Sequence, residues 1–315
     1  MKPMRLIIFL ILFTSIAFGQ KADLIDKSNS NLIDNDLLSV AVDNNGTKWI
    51  GTSKFGLVKY DGNSFETLNK ENSEIKGDYV SPIFTDSKGN VWVSYTKPED
   101  GLAKFDGEKW TTYSAKEIGV EKISVISVTE DNNGKIYFGG SNGVFVYSDN
   151  WSILELPPGT YTVRAIDVFN NGSIAIGHNI GLLIFKNDKW DTFTEENSDL
   201  RLGTVRAVKF LDNGDLIVGY GGGFGDGGFS IIHKDKWKHF NKTNSKIPDH
   251  MVRDIEIDSK GVVWMATNNG LIKFENGNIE PILFRQGMYM NVILDIAIQD
   301  KIIWIATNFG LIKME

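Results

Sequence analysis

Apolar and polar positions alternate along this chain in short runs, and the set of runs recurs. Its full form lies between Leu37 and Leu68. Leu38, Val40 and Val42 alternate with smaller residues, a period of two that predicts a strand. Asp43-Asn44-Asn45-Gly46 follows, and these residue types accept the backbone angles of a tight turn. Lys48 to Thr52 predicts a second strand, with Trp49 as its large packing residue. Gly56 to Tyr60 predicts a third, Asp61-Gly62 a hairpin turn, and Phe65 to Leu68 a fourth. A polar connector leads to the next copy.

Seven copies fit this scheme. Their first turns carry Gly46, Gly89, Gly134, Gly172, Gly214 and Gly261, with Asp300-Lys301 in the seventh place. The glycines that open the third strands are Gly56, Gly101, Gly143, Gly181, Gly228, Gly270 and Gly310, spaced 45, 42, 38, 47, 42 and 40 residues apart. A period of that length with several short strands per unit is the sequence signature of a β-propeller. The expected fold is all-β, a single seven-bladed propeller of four-stranded blades. The chain reaches Met314-Glu315 just after the third strand of its last copy. Ala22-Asp23-Leu24-Ile25-Asp26 resembles the start of an outer strand. Lys27-Ser28-Asn29-Ser30 parallels the connectors Lys70-Glu71-Asn72-Ser73 and Thr243-Asn244-Ser245. The N-terminal segment is therefore expected to complete the last blade.

Large aromatics recur at two positions. Trp49, Trp92, Tyr137, Trp264 and Trp304 share the second strand, where blades four and five carry Ala175 and Ile217. Phe65, Trp110, Trp151, Trp190 and Trp237 share the outer strand. They are expected to fill the wedges between blades rather than to act as ligand platforms.

Composition changes the picture at the ends and at the surface. Lys2 and Arg5 precede an apolar run from Leu6 to Phe18, and Ala17-Phe18-Gly19 supplies small residues for cleavage. This predicts a signal peptide over residues 1–19 and a propeller over 20–315. The run has 13 residues, short of the roughly 20 that span a bilayer as a helix. The expected location is periplasmic or secreted, without membrane insertion after cleavage. The absence of Cys excludes disulfides, thiolate metal sites and a lipid-modified N-terminal Cys. Losing Lys2 and Arg5 takes the formal charge from −7 to −9. An acidic surface argues against nucleic acid as a partner.

The stretches Asp43-Asn44-Asn45-Gly46-Thr47-Lys48-Trp49-Ile50-Gly51-Thr52 and Asp258-Ser259-Lys260-Gly261-Val262-Val263-Trp264-Met265-Ala266-Thr267 resemble the two-component regulator propeller repeat. So do the following Gly-Leu pairs and the connector Thr243-Asn244-Ser245-Lys246-Ile247-Pro248. The resemblance covers nearly all of residues 20–315. In that family, paired propellers form the exported sensor region of hybrid receptors, which often sense oligosaccharides. It implies a binding module. One propeller is present here, and the sequence holds no kinase, so phosphotransfer is not expected of this chain.

Candidate chemistry concentrates where connectors and second-to-third-strand loops should meet. The loops Thr96-Lys97-Pro98-Glu99-Asp100 and Gly221–Gly227, which holds Phe224 and Asp226, vary most, and variable loops on a rigid scaffold are where binding develops. The second lacks the Lys and helix of a phosphate cradle. Arg164, Arg206 and Arg253 each lie eight residues before a turn glycine, so they should form an arc at the channel mouth, suited to carboxylate, sulfate or sugar hydroxyls. Alternatively they pair with Asp167 and Asp254 between blades. The ends of the second strands give a second ring: Thr52, Tyr95, Gly140, His178, Tyr220, Thr267 and Thr307. Tyr95, Tyr220 and His178 depart from threonine and are ligand-binding candidates.

No catalytic residue, metal site or cofactor is assigned, since no Ser-His-Asp order, HExxH or calcium loop occurs. The expected function is non-catalytic recognition of a small polar ligand, such as an oligosaccharide, or of an envelope protein partner. A metal-dependent lyase using His178 or His250 is the enzyme alternative, and a protein-interaction scaffold is a third.

Overall fold

A clamp inside the first hairpin of several blades explains the Asp, Gly and Trp of the repeat. In the computed structural model, which describes residues 21–98, 100–159, 161–201, 203–221, 227–284 and 291–315, Asp43 Oδ1 accepts the amides of Asn45 (2.9 Å) and Thr47 (3.0 Å). Its Oδ2 accepts the indole N–H of Trp49 at 2.9 Å. Asp86 holds Trp92 at 2.8 Å and Asp258 holds Trp264 at 3.1 Å in the same way. Tyr137 bonds Asp131 at 3.2 Å. Gly46, with φ +78°, takes the left-handed position that closes the turn. Blades four and five lack both halves of the clamp. Phe169 and Leu211 replace the Asp where Ala175 and Ile217 replace the Trp, which leaves no indole N–H to satisfy.

Every unit has four antiparallel strands, the first two joined by this hairpin, and seven such sheets make up the fold. Blade one runs Leu37–Val42, Lys48–Thr52, Leu57–Tyr60, Phe65–Leu68 from the channel outward. The inner strands of blades four to seven are Val163–Val168, Val205–Phe210, Val252–Ile257 and Ile293–Gln299. Each seam between neighbouring blades holds its own hydrophobic cluster, seven in all among the described residues. Second-strand aromatics sit in these seams. Trp92 is 1% exposed and packs against Phe138 and Tyr147 of the next blade. A side chain at Gly177 would collide with Val205 of the neighbouring inner strand, so the sheets approach closely there.

Ala22–Ile25 pairs antiparallel with the last strand, from Ala22 opposite Met314 to Ile25 opposite Leu311. The following residues repeat the connector hydrogen bonds of other blades. Asn29 Oδ1 accepts the Asp26 amide at 2.9 Å, as Asn72 does for Asn69 and Asn244 for Asn241, both at 2.8 Å. The seam between blades seven and one also holds Lys48, whose Nζ lies 4.9 Å from the rings of both Tyr60 and Trp304.

Side chains on the inner strands bond one blade to the next. Asp254 accepts the Ile296 amide at 3.1 Å. Asp295 accepts Ser39 Oγ at 2.6 Å and the Val40 amide at 2.8 Å. Ser39 Oγ accepts the Ile83 amide at 3.1 Å, and Ser127 Oγ accepts that of Ile166, also at 3.1 Å. Asp167 accepts the Phe210 amide at 2.8 Å, and Lys209 pairs with Glu256 at 3.2 Å. Burial pushes the Asp295 carboxyl up to about 6. Burial, then the charges of Asp295 and Glu256, push the Asp254 carboxyl well above its ordinary value, and its side chain hydrogen-bonds that of Asp295.

A folded-state pKa raised above that of the unfolded chain means that folding takes up a proton as pH falls. Stability contributed through Asp295 is therefore lost as pH rises through about 6 and regained below it. We expect the melting temperature of the wild type, relative to Asp295→Asn, to increase between pH 7.5 and pH 5. A difference that stays flat over that interval would remove the proton-sharing pair from the account.

Candidate functional site

The inner strands carry bulges, and these aim the arginines. In blade four the register passes from Val163 opposite His178 to Ala165 opposite Gly177, leaving Arg164 without a partner residue. Arg206 and Arg253 occupy the same bulged position in blades five and six. A bulge turns a side chain out of the regular alternation. All three arginines line the central channel, a cavity of about 630 Å³. Leu38 and Leu294 hold the bulged position in blades one and seven and line the same cavity.

The guanidinium groups are not paired with acids. No arginine among the described residues lies in an ion pair. The pairing with Asp167 and Asp254 considered from the sequence gives way to Lys209 and backbone amides, which occupy those carboxylates. Arg253 Nε donates to Asn268 Oδ1 at 2.7 Å, whereas Nε of Arg164 and of Arg206 is buried without a partner. Arg206 lies across Gly221, where any side chain would collide with it. Burial, then the charge of Arg164, weakens the hold of Arg206 on its proton. Burial, then Arg206, does the same to Arg253, opposed in part by the Asp249 carboxylate. The three form one arc of mutually repelling cations.

The ring at the ends of the second strands has a different setting. Thr267 and Thr307 are fully buried, and each donates its hydroxyl at 2.6 Å to the carbonyl of the glycine opening the third strand. Thr52 does so at 2.9 Å to Gly56. This hydroxyl closes the loop. Tyr95, 5% exposed, packs in the seam between blades one and two and covers Gly101. Tyr220, 1% exposed, bonds Ser230 Oγ at 2.6 Å, and Ser230 bonds His239 Nδ1 at 2.7 Å. Ser230 is itself fully buried, so this Ser–His pair has no path to a substrate. His178 is 1% exposed, with Nδ1 accepting the Ile180 amide at 3.3 Å and Tyr161 packed edge-on at 4.7 Å. Burial lowers its pKa to about 4, so it is a neutral imidazole. None of Tyr95, His178 and Tyr220 lines the channel. Phe224 and Asp226, like residues 1–19, lie outside the described residues.

No three His, Asp or Glu side chains among the described residues are placed to hold a metal ion. His250, in a connector, has a buried Nδ1 without a partner and does not line the channel. No helix of the described residues is long and apolar enough to cross a membrane.

With ring and channel in view, the chain is a seven-bladed β-propeller, and solved structures of that shape resemble it. Virginiamycin B lyase from Staphylococcus aureus superposes with a TM-score of 0.75 at 14% identity, covering 94% of this chain and 99% of that one. The extracellular domain of a hybrid two-component system from B. thetaiotaomicron superposes with a TM-score of 0.73 at 19% identity. That match covers 93% of this chain and 41% of the other. YCF48 bound to D1 peptide superposes with a TM-score of 0.65 at 13% identity, covering 95% and 97%. At these identities the likeness shows the fold alone. No protein-family model and no curated protein matches the sequence.

Proposed function

We propose that this chain is an exported, non-catalytic recognition propeller whose ligand enters the channel at the connector face and contacts Arg164, Arg206 and Arg253. The observation that carries the reading is the arc of three bulge-borne guanidinium groups facing the cavity without a carboxylate partner. Burying like charges together costs stability unless something binds them. A folding role alone would be served by uncharged side chains. Sensor-type function agrees with the repeat resemblance and with the extracellular two-component neighbour. Export rests on the leader-like residues 1–19, which cleavage would remove. The lyase alternative has the S. aureus fold match in its favour. Against it, neither His178 nor His250 faces the channel, and the described residues offer no metal-ligating group.

The test is a thermal-shift screen of the mature protein against oligosaccharides and small organic acids, run beside R164M/R206M/R253M. We expect at least one compound to raise the wild-type melting temperature and to lose that effect in the triple variant. Without ligand, the variant should melt no lower than wild type, since it sheds mutual repulsion and burial cost. A ligand shift retained in the triple variant would refute this site.

A further inference from the structure

The position that bulges in blades one and four to seven, with its equivalents in blades two and three, is occupied by two chemistries, divided between two sides of the channel mouth. Arg164, Arg206 and Arg253 stand on the consecutive blades four, five and six. The equivalent residues of blades seven, one, two and three are Leu294, Leu38, Ser81 and Ile126. All seven line the same cavity of about 630 Å³. The three apolar ones are only half-buried although they face inward. One side of the mouth thus presents clustered cationic donors. The other presents half-buried apolar side chains, broken only by Ser81.

Resting on the reading that this mouth is the ligand site, we infer that the ligand is a small amphipathic anion: at least two acidic groups on one side, an apolar body on the other. Two observations carry the charge. Arg164, Arg206 and Arg253 line the cavity with no ion pair among the described residues, and Lys209 and backbone amides already occupy the carboxylates deeper in the channel. A ligand bearing one negative charge leaves repelling guanidiniums uncompensated, while two or more charges can bridge neighbouring arginines through charge-assisted hydrogen bonds. The apolar half argues against a purely polar ligand. A hydroxyl placed on Leu294, Leu38 and Ile126 would be desolvated without a partner, whereas a hydrocarbon or ring face there releases water.

Calorimetric titration of the mature protein separates these elements, with isophthalate as the amphipathic dianion, malonate as the compact dianion, benzoate as the aromatic monoanion and maltotriose as the neutral sugar. We expect isophthalate to bind most tightly, and to lose roughly 100-fold or more in R164M/R206M/R253M. In L38S/L294S we expect isophthalate to weaken about fivefold and malonate to change less than about twofold. Both variants must keep a cooperative melt within a few degrees of wild type. Maltotriose binding that depends on the arginines while isophthalate fails would keep the site and overturn the anion class. Malonate equal to isophthalate would overturn the apolar half, and benzoate equal to isophthalate the requirement for two charges. No binding of any probe to wild type would count against both this inference and the site itself.

Discussion

Deleting residues 20–30 should lower the melting temperature far more than trimming an ordinary exposed terminus. The deletion removes the outer strand of blade seven, with its ladder from Ala22–Met314 to Ile25–Leu311. It also removes the connector bonds of Asn29 and Ser30 and takes Leu24 and Ile25 off the apolar clusters of the last seams. Gly310 would lose its close cover by the Ile25 carbonyl. The strand Gly310–Met314 would then be an unpaired edge, open to association with other chains. Two half-buried aliphatic side chains and a four-residue ladder correspond to roughly 4–6 kcal/mol, a large share of the 5–15 kcal/mol typical of a domain. The truncated protein should melt at least about 10 °C lower and show concentration-dependent aggregation. Melting within about 2 °C of the full mature chain would mean that the segment does not hold the ring together.

Trp92→Ala is expected to cost as much from a single side chain. Trp92 is 1% exposed and touches Tyr113, Phe138, Tyr147 and Trp151 at centroid distances between 5.0 and 6.2 Å. Lys104 Nζ lies 5.7 Å from its ring. Its indole also satisfies Asp86, which is 4% exposed. Truncation leaves a cavity between blades two and three and strips a buried carboxylate of one donor. The cavity alone costs about 3–5 kcal/mol, and the lost aromatic pairing and hydrogen bond add to it. Trp92→Phe keeps part of the packing but not the indole N–H, so it should fall between wild type and Ala. Denaturant unfolding checks the order. An Ala variant within 1 kcal/mol of wild type would contradict the role of these aromatics as seam fillers.

Much of the fold was legible because the repeat writes each structural need as a residue type. A clamping Asp and a Trp recur six residues apart, with the turn glycine midway between them, because one carboxylate serves both the turn amides and the indole. The losses at Phe169/Ala175 and Leu211/Ile217 follow the same logic. The site was legible only in part. Equal spacing from the turn glycine placed Arg164, Arg206 and Arg253 together, but nothing local announces the bulge that turns them into the channel. That bulge depends on pairing with the second strand. The second-strand ring was visible as a set of positions, yet its environment was not. Whether Tyr95, His178 and Tyr220 face a ligand or a seam depends on how neighbouring blades approach, and the structure buries all three. The Tyr220–Ser230–His239 network was missed because its members come from three strands. The division of the mouth into cationic and apolar sides was also missed. It emerges only when the equivalent position at the start of each inner strand is compared across all blades.

The central claim is that the channel mouth holds an anion on three arginines, and the most direct measurement is where an oxyanion settles. Crystals of the mature protein grown in selenate, measured at the selenium edge, should show an anomalous peak within hydrogen-bond distance of at least two of Arg164, Arg206 and Arg253. A mouth without such a peak, in crystals where selenate occupies surface lysines, would contradict the account.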